Sequence, residues 1–98
     1  MFGGDAPPDG GFHVMTWQHG STHLVTALGA SWRTLDDAIE DARHWTGVEP
    51  SAFDRTTRDF DRYASETYRD RRDVVVVVRR DEVAASAPLG GPWIPPPA

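Results

Sequence analysis

The alternation of apolar and polar positions divides the chain into four readable stretches. The densest is Asp73-Val74-Val75-Val76-Val77-Val78-Arg79, five valines bracketed by charge. Valine is stiff at χ1 and suits a pleated surface better than a helix. A half-buried strand alternates apolar with polar residues, and this run does not. It therefore predicts a strand with apolar company on both faces. Asp73, Arg79, Arg80 and Asp81 read as charged gatekeepers around a segment that would aggregate if left uncovered. The rest of the chain must supply two apolar layers and at least one neighbouring strand.

Upstream, Phe12 to Gly29 predicts a β-hairpin. A two-residue Gly20-Ser21 loop suits a type II′ turn, with glycine where φ must be positive. The register that follows sets Trp17 opposite Leu24, Met15 opposite Thr26 and His13 opposite Leu28. This face carries the larger side chains and is assigned to the main core. Phe12, Val14, Thr16, His23, Val25 and Ala27 form a second, more weakly apolar face.

Between Ala30 and Gly47 the period changes to helical. Leu35, Ala38, Ile39 and Ala42 fall at i, i+3, i+4 and i+7. Thr34 is a good N-cap with Asp37 at the capping-box position, and Gly47 is a natural C-terminal cap. Asp36 and Asp37 in the first turn, with Arg43 and His44 in the last, suit the helix dipole. A second, more polar helix is expected from Val48 to Arg72. Pro50 lies in its first turn, Ser51 is its cap, and Phe53, Thr57, Phe60, Ala64 and Tyr68 form its stripe. Along its surface Asp54 would pair with Arg58, and Asp59 with Arg62.

The resulting order is β-β-α-α-β. The expected fold class is α+β: a small single-layer antiparallel or mixed sheet, hairpin plus valine strand, packed with two helices. One domain spans 12–87, between a flexible arm, 1–11, and an extended Pro-rich tail, 88–98. Residues 81–87 read as a short, weak extension of the valine strand. In a three-stranded sheet that keeps its hairpin, the valine strand is an edge. Its outer row of backbone groups would then be open to a partner.

Composition adds bounds to this picture. Fifteen acids against ten basic residues give a net charge of −5, and the chain has no cysteine. All ten basic residues are arginine, and lysine and asparagine are absent, as expected of a GC-rich bacterial genome or a phage of such a host. There is no disulfide framework, no thiolate nucleophile and no cysteine-ligated zinc. No apolar run approaches the ~20 residues of a membrane span. The first eleven residues lack the charged and apolar regions of a signal peptide, so the cytoplasm is the expected compartment. An acidic balance disfavours general nucleic-acid affinity.

Candidate chemistry is sparse. His13, His19, His23 and His44 do not converge in this register as a metal site requires. The serines lack a G-x-S-x-G context, and the glycine pairs are not phosphate loops. No catalytic residue, metal or cofactor is therefore assigned. A nucleic-acid interface would use Arg69, Arg71, Arg72, Arg79 and Arg80 around the valine strand, with Trp17, Trp32 and Phe12 stacking on bases. A protein interface fits the pattern better. Trp93, Ile94, Pro95 and Pro96 form a tail that docks at low entropic cost, because proline is already ordered. Val74, Val76 and Val78 would present the open edge. The expected function is a non-catalytic protein-binding module, an adaptor, inhibitor or assembly component. Its partner is a protein, in the simplest case a second copy paired through Val74–Val78.

Overall fold

The computed structural model describes residues 11–18 and 25–89, with backbone only at 25–30. Strands β1 (Phe12–Trp17) and β2 (Val25–Trp32) lead into helix α1 (Leu35–Thr46). A short 3-10 turn (Pro50–Ala52) and a two-residue strand β3 (Arg58–Asp59) precede helix α2 (Phe60–Asp70). Strands β4 (Val74–Arg79) and β5 (Glu82–Pro88) complete one five-stranded sheet, in spatial order β2-β1-β4-β5-β3. Every pairing is antiparallel. The class is α+β, with two helices on a single sheet.

The valine strand is central, and both its faces are used. Val75 and Val77 pack with Val14, Ile39, Ala42, Phe53 and Ala85 beneath α1. Val74, Val76 and Val78 pack with Trp17, Tyr63 and Val83 beneath α2. All five valines are buried, as a run without alternation demands.

Helix α1 follows its sequence pattern. The Thr34 hydroxyl accepts from the Asp37 backbone N–H at 3.1 Å. Gly47 takes the left-handed conformation, φ 76°, and donates to the Arg43 carbonyl. Ala38, Ile39 and Ala42 are the buried stripe.

Four expectations are corrected. The hairpin register is slipped by one residue: Trp17 stands opposite Val25, Met15 opposite Ala27 and Val14 opposite Leu28. That slip sets a leucine opposite buried Val14 and leaves His13, which is exposed, without one. Beyond Val14 the ladder jumps from Leu28 to Trp32, which brings Trp32 under α1. The Gly20-Ser21 turn lies outside the described residues.

The second helix begins at Phe60, not near Pro50. Asp54 accepts from the Thr56 backbone N–H at 3.0 Å, a local turn that competes with helix. Asp59 caps α2 by accepting from the Arg62 backbone N–H at 3.0 Å. The buried stripe of α2 therefore contains Tyr63 and Thr67, while Tyr68 is 62% exposed. Asp54 does pair with Arg58, at 3.2 Å, but Arg62 pairs with Glu66.

The expected weak extension is a full strand, β5, paired along the whole of β4. Its alanines have little intrinsic strand preference but fit closely against the valines. β5 runs on to Pro88, and Leu89 is buried with its N–H on the Asp73 carbonyl. Finally, β4 is no edge. β1 pairs with one side of it and β5 with the other, so the fifth strand resolves the conflict that a three-stranded sheet posed. No helix among the described residues is long and apolar enough to cross a membrane.

Candidate functional site

Pairing on both sides of β4 removes the expected interface. Val74, Val76 and Val78 are interior residues beneath α2, and their backbone groups already serve two neighbouring strands. A second copy cannot add at Val74–Val78 without displacing β1 or β5. Trp93, Ile94, Pro95 and Pro96 lie outside the described residues.

The five arginines separate into two groups. Arg69, Arg71 and Arg72 sit at the end of α2, before β4 begins, while Arg79 and Arg80 lie at its far end. A six-residue strand rising ~3.3 Å per residue holds the groups well over 10 Å apart. Arg69 and Arg72 both pair with Asp70. Arg72 also lies over the Tyr63 ring at 5.9 Å, and Arg79 over Phe12 at 5.1 Å.

The aromatic residues are likewise engaged. Trp17 is buried against Phe60 and Tyr63, each with ring centroids 5.6 Å away. Trp32 donates its indole N–H to Asp41 at 3.0 Å, and Trp45 donates to the other oxygen of the same carboxylate at 3.1 Å. Asp41 thus pins β2 to α1. Its place on the half-buried margin of the helix stripe is visible in the sequence, but its two indole partners are not. Neither Trp17 nor Trp32 is presented on an open face of the sheet.

His13 is exposed on β1 and His44 on α1, where it meets Trp45 edge to face. His19 and His23 lie outside the described residues. No group of three metal-ligating side chains occurs among the described residues.

What the geometry does single out is a difference between the two sides of the sheet. On one side, residues 53–60 run along the outside of β5. Asp54 and Ser86 exchange both backbone hydrogen bonds, at 2.7 and 2.9 Å. Arg58 pairs with Val83 and Asp59 with Glu82, and the Phe60 N–H donates to the Asp81 carbonyl at 2.8 Å. This segment is anchored in both cores, because Phe53 packs beneath α1 and Phe60, the first residue of α2, packs against the core on the other face. The Thr56 hydroxyl and backbone N–H, with Arg58 nearby, hold the Asp54 carboxyl below its ordinary range.

On the other side stands β2, last in the strand order. Among the described residues no strand pairs with its outer row. Its eight residues, VTALGASW, contain no charge and no proline. Such devices ordinarily blunt an exposed edge. The bulge beyond Leu28 bends the far half of β2, so the regular part of the edge is Val25–Leu28.

Two clefts flank α2. One of about 400 Å³ is lined by Thr56, Thr57 and Tyr63, with the acids Asp59 and Glu66 balanced by Arg58 and Arg62. The other, about 320 Å³, has Met15, Phe60 and Val78 with Asp61, Arg80 and Asp81. Both open to solvent. Comparison with known protein families, curated proteins and solved structures returns no match.

Proposed function

We propose that the chain is a non-catalytic protein-binding module, an adaptor, inhibitor or assembly component of the bacterial cytoplasm or of a phage. It takes an extended segment of a protein partner as an added strand on the outer side of β2. The observation that carries this reading is the contrast between the sheet's two sides. One is closed by backbone hydrogen bonds from residues 53–60, while the other is a charge-free, proline-free strand. Strand addition draws affinity from main-chain hydrogen bonds, and side chains at alternate positions add selectivity. The module needs no deep pocket. The Pro-rich segment that contains Trp93 serves as a second, weaker contact.

Displayed random peptides provide the test. Selection on the wild-type protein should enrich proline-free segments rich in β-branched residues, and amide signals of β2 should shift when such a peptide is added. Methylating alternate backbone nitrogens of a selected peptide should abolish binding. Binding that survives methylation, or maps to residues other than β2, refutes strand addition. Deleting residues 90–98 should weaken capture of a full-length partner without altering binding of the short peptide.

A further inference from the structure

The strand-addition reading leaves the identity of the partner open, and the chain's own chemistry narrows it. We infer that a second copy of this chain occupies the β2 edge, joining two five-stranded sheets into one. The inference rests on β2 being the working edge.

Pairing chemistry is the first reason. An added strand must offer a row of backbone N–H groups. The two terminal stretches outside the described residues are poor sources. Residues 90–98, GGPWIPPPA, include four prolines, and residues 1–10 include Pro7 and Pro8 with three glycines. Proline donates nothing to a ladder and glycine weakens a strand. β2 itself offers eight consecutive residues without proline.

Charge is the second reason. Each chain carries a net charge of −5, so two copies repel at a distance. Self-pairing requires a contact strip free of carboxylates, and Val25–Trp32 contains none. The β5 side would instead bring the carboxylates of Asp54, Asp59 and Glu82 to the contact.

Symmetry supplies a distinctive consequence. A two-fold axis perpendicular to the sheet makes the strands antiparallel and keeps each face continuous. Because side chains alternate with period two, paired residues must share a face. The sum of their numbers is then even, and one residue must meet its own copy. Pairing centred on the regular stretch, Val25–Leu28, makes that residue Thr26 or Ala27. In either register, a charge at position 27 faces its copy directly or from the diagonal position, which is repulsive.

Sedimentation and light scattering on the full chain test this. The wild type should convert from monomer to dimer across the micromolar range. Ala27→Lys and Ala27→Glu should each be folded monomers, and an equimolar mixture should restore the dimer. Their amide spectra show whether each variant is folded. Should either fail to fold, wild-type β2 amide protection that rises with chain concentration serves as the second readout. A wild-type monomer at all concentrations overturns self-pairing, and so does a dimer unaffected by both charges. If peptides selected by display still bind β2 in that monomer, only the self-pairing inference falls. If they bind elsewhere or not at all, strand addition falls with it.

Discussion

The two sides of the sheet are built on opposite terms. At the β5 side the chain supplies its own cover. Residues 53–60 cross from one core to the other, with Phe53 and Phe60 as anchors and Asp54 hydrogen-bonded to Ser86 between them. At the β2 side the described residues secure the inner surface, by the ladder to β1 and by the Asp41 carboxylate between Trp32 and Trp45. The outer row of β2 meets no strand among the described residues. Charge follows the same division, being dense on 53–60 and absent from β2. The lesson is that the long valine run does not mark the rim of the sheet. A strand so apolar belongs at the centre, and among the described residues the outermost place falls to a less conspicuous strand.

The largest effect on this contrast should come from Phe53→Ala. Phe53 is buried beneath α1, and removing such a ring costs about 3–5 kcal/mol. Chemical denaturation should show that loss. The Ser86 amide, which donates to Asp54, should exchange faster, while exchange in β2 stays near wild type. Equal acceleration on both sides would mean that the two edges are not independent.

Asp41→Ala works from the opposite side. Two indole N–H groups lose a charged acceptor, and hydrogen bonds of that type contribute about 1.5–3 kcal/mol. Denaturation measures the total. Amide exchange should show β2 loosening before β5, and strand addition should weaken because the edge is no longer held straight. A variant that binds display-selected peptides as tightly as wild type would separate Asp41 from the function of the edge.

A smaller change is expected from Asp59→Ala. It removes the N-cap of α2 and should cost about 1 kcal/mol, readable as a lower midpoint in thermal or denaturant unfolding. Because β3 contains Asp59, the β5 side should again respond more than β2.

Acid should produce the smallest and most selective effect. The Thr56 hydrogen bonds, with help from Arg58, lower the folded-state value of Asp54 below the ordinary 3.8. A depressed carboxylate stabilises the fold at pH above its unfolded value. That contribution fades as pH falls through the lower folded value. Protection at Ser86 should therefore decline below about pH 4, corrected for intrinsic exchange, and Asp54→Asn should remove that component. β2 contains no carboxylate, so its own protection should show no matching step.

Much of this fold is legible in the sequence because local chemistry and tertiary packing agree. Thr34, Asp37 and Gly47 mark α1, and its stripe is the one that is buried. The uninterrupted valines demand two covered faces, and helices on both sides supply them. The rest depends on contacts distant in sequence. Phe53 and Phe60, seven residues apart, read as one helical face, yet they point into different cores because Asp54 and Asp59 start turns between them. β5 is written in alanine and serine, which become a strand only against the valines. The hairpin slips by one residue because side-chain burial at Val14 outweighs a turn-based register. The place of β2 as the outermost strand among the described residues is a property of strand order, and no residue of β2 advertises it. The sequence places the valine strand at an edge, and only the assembled sheet shows that β2 is outermost instead.

The most direct measurement is residue-resolved amide exchange along β2 as a function of chain concentration, with Ser86 as an internal reference. The expected result is alternate β2 amides that exchange freely in dilute protein and become protected as concentration rises, while Ser86 stays protected throughout. Uniform protection of every β2 amide at all concentrations would contradict the open edge. Alternate amides that remain unprotected up to the highest concentration would contradict its pairing with a second copy.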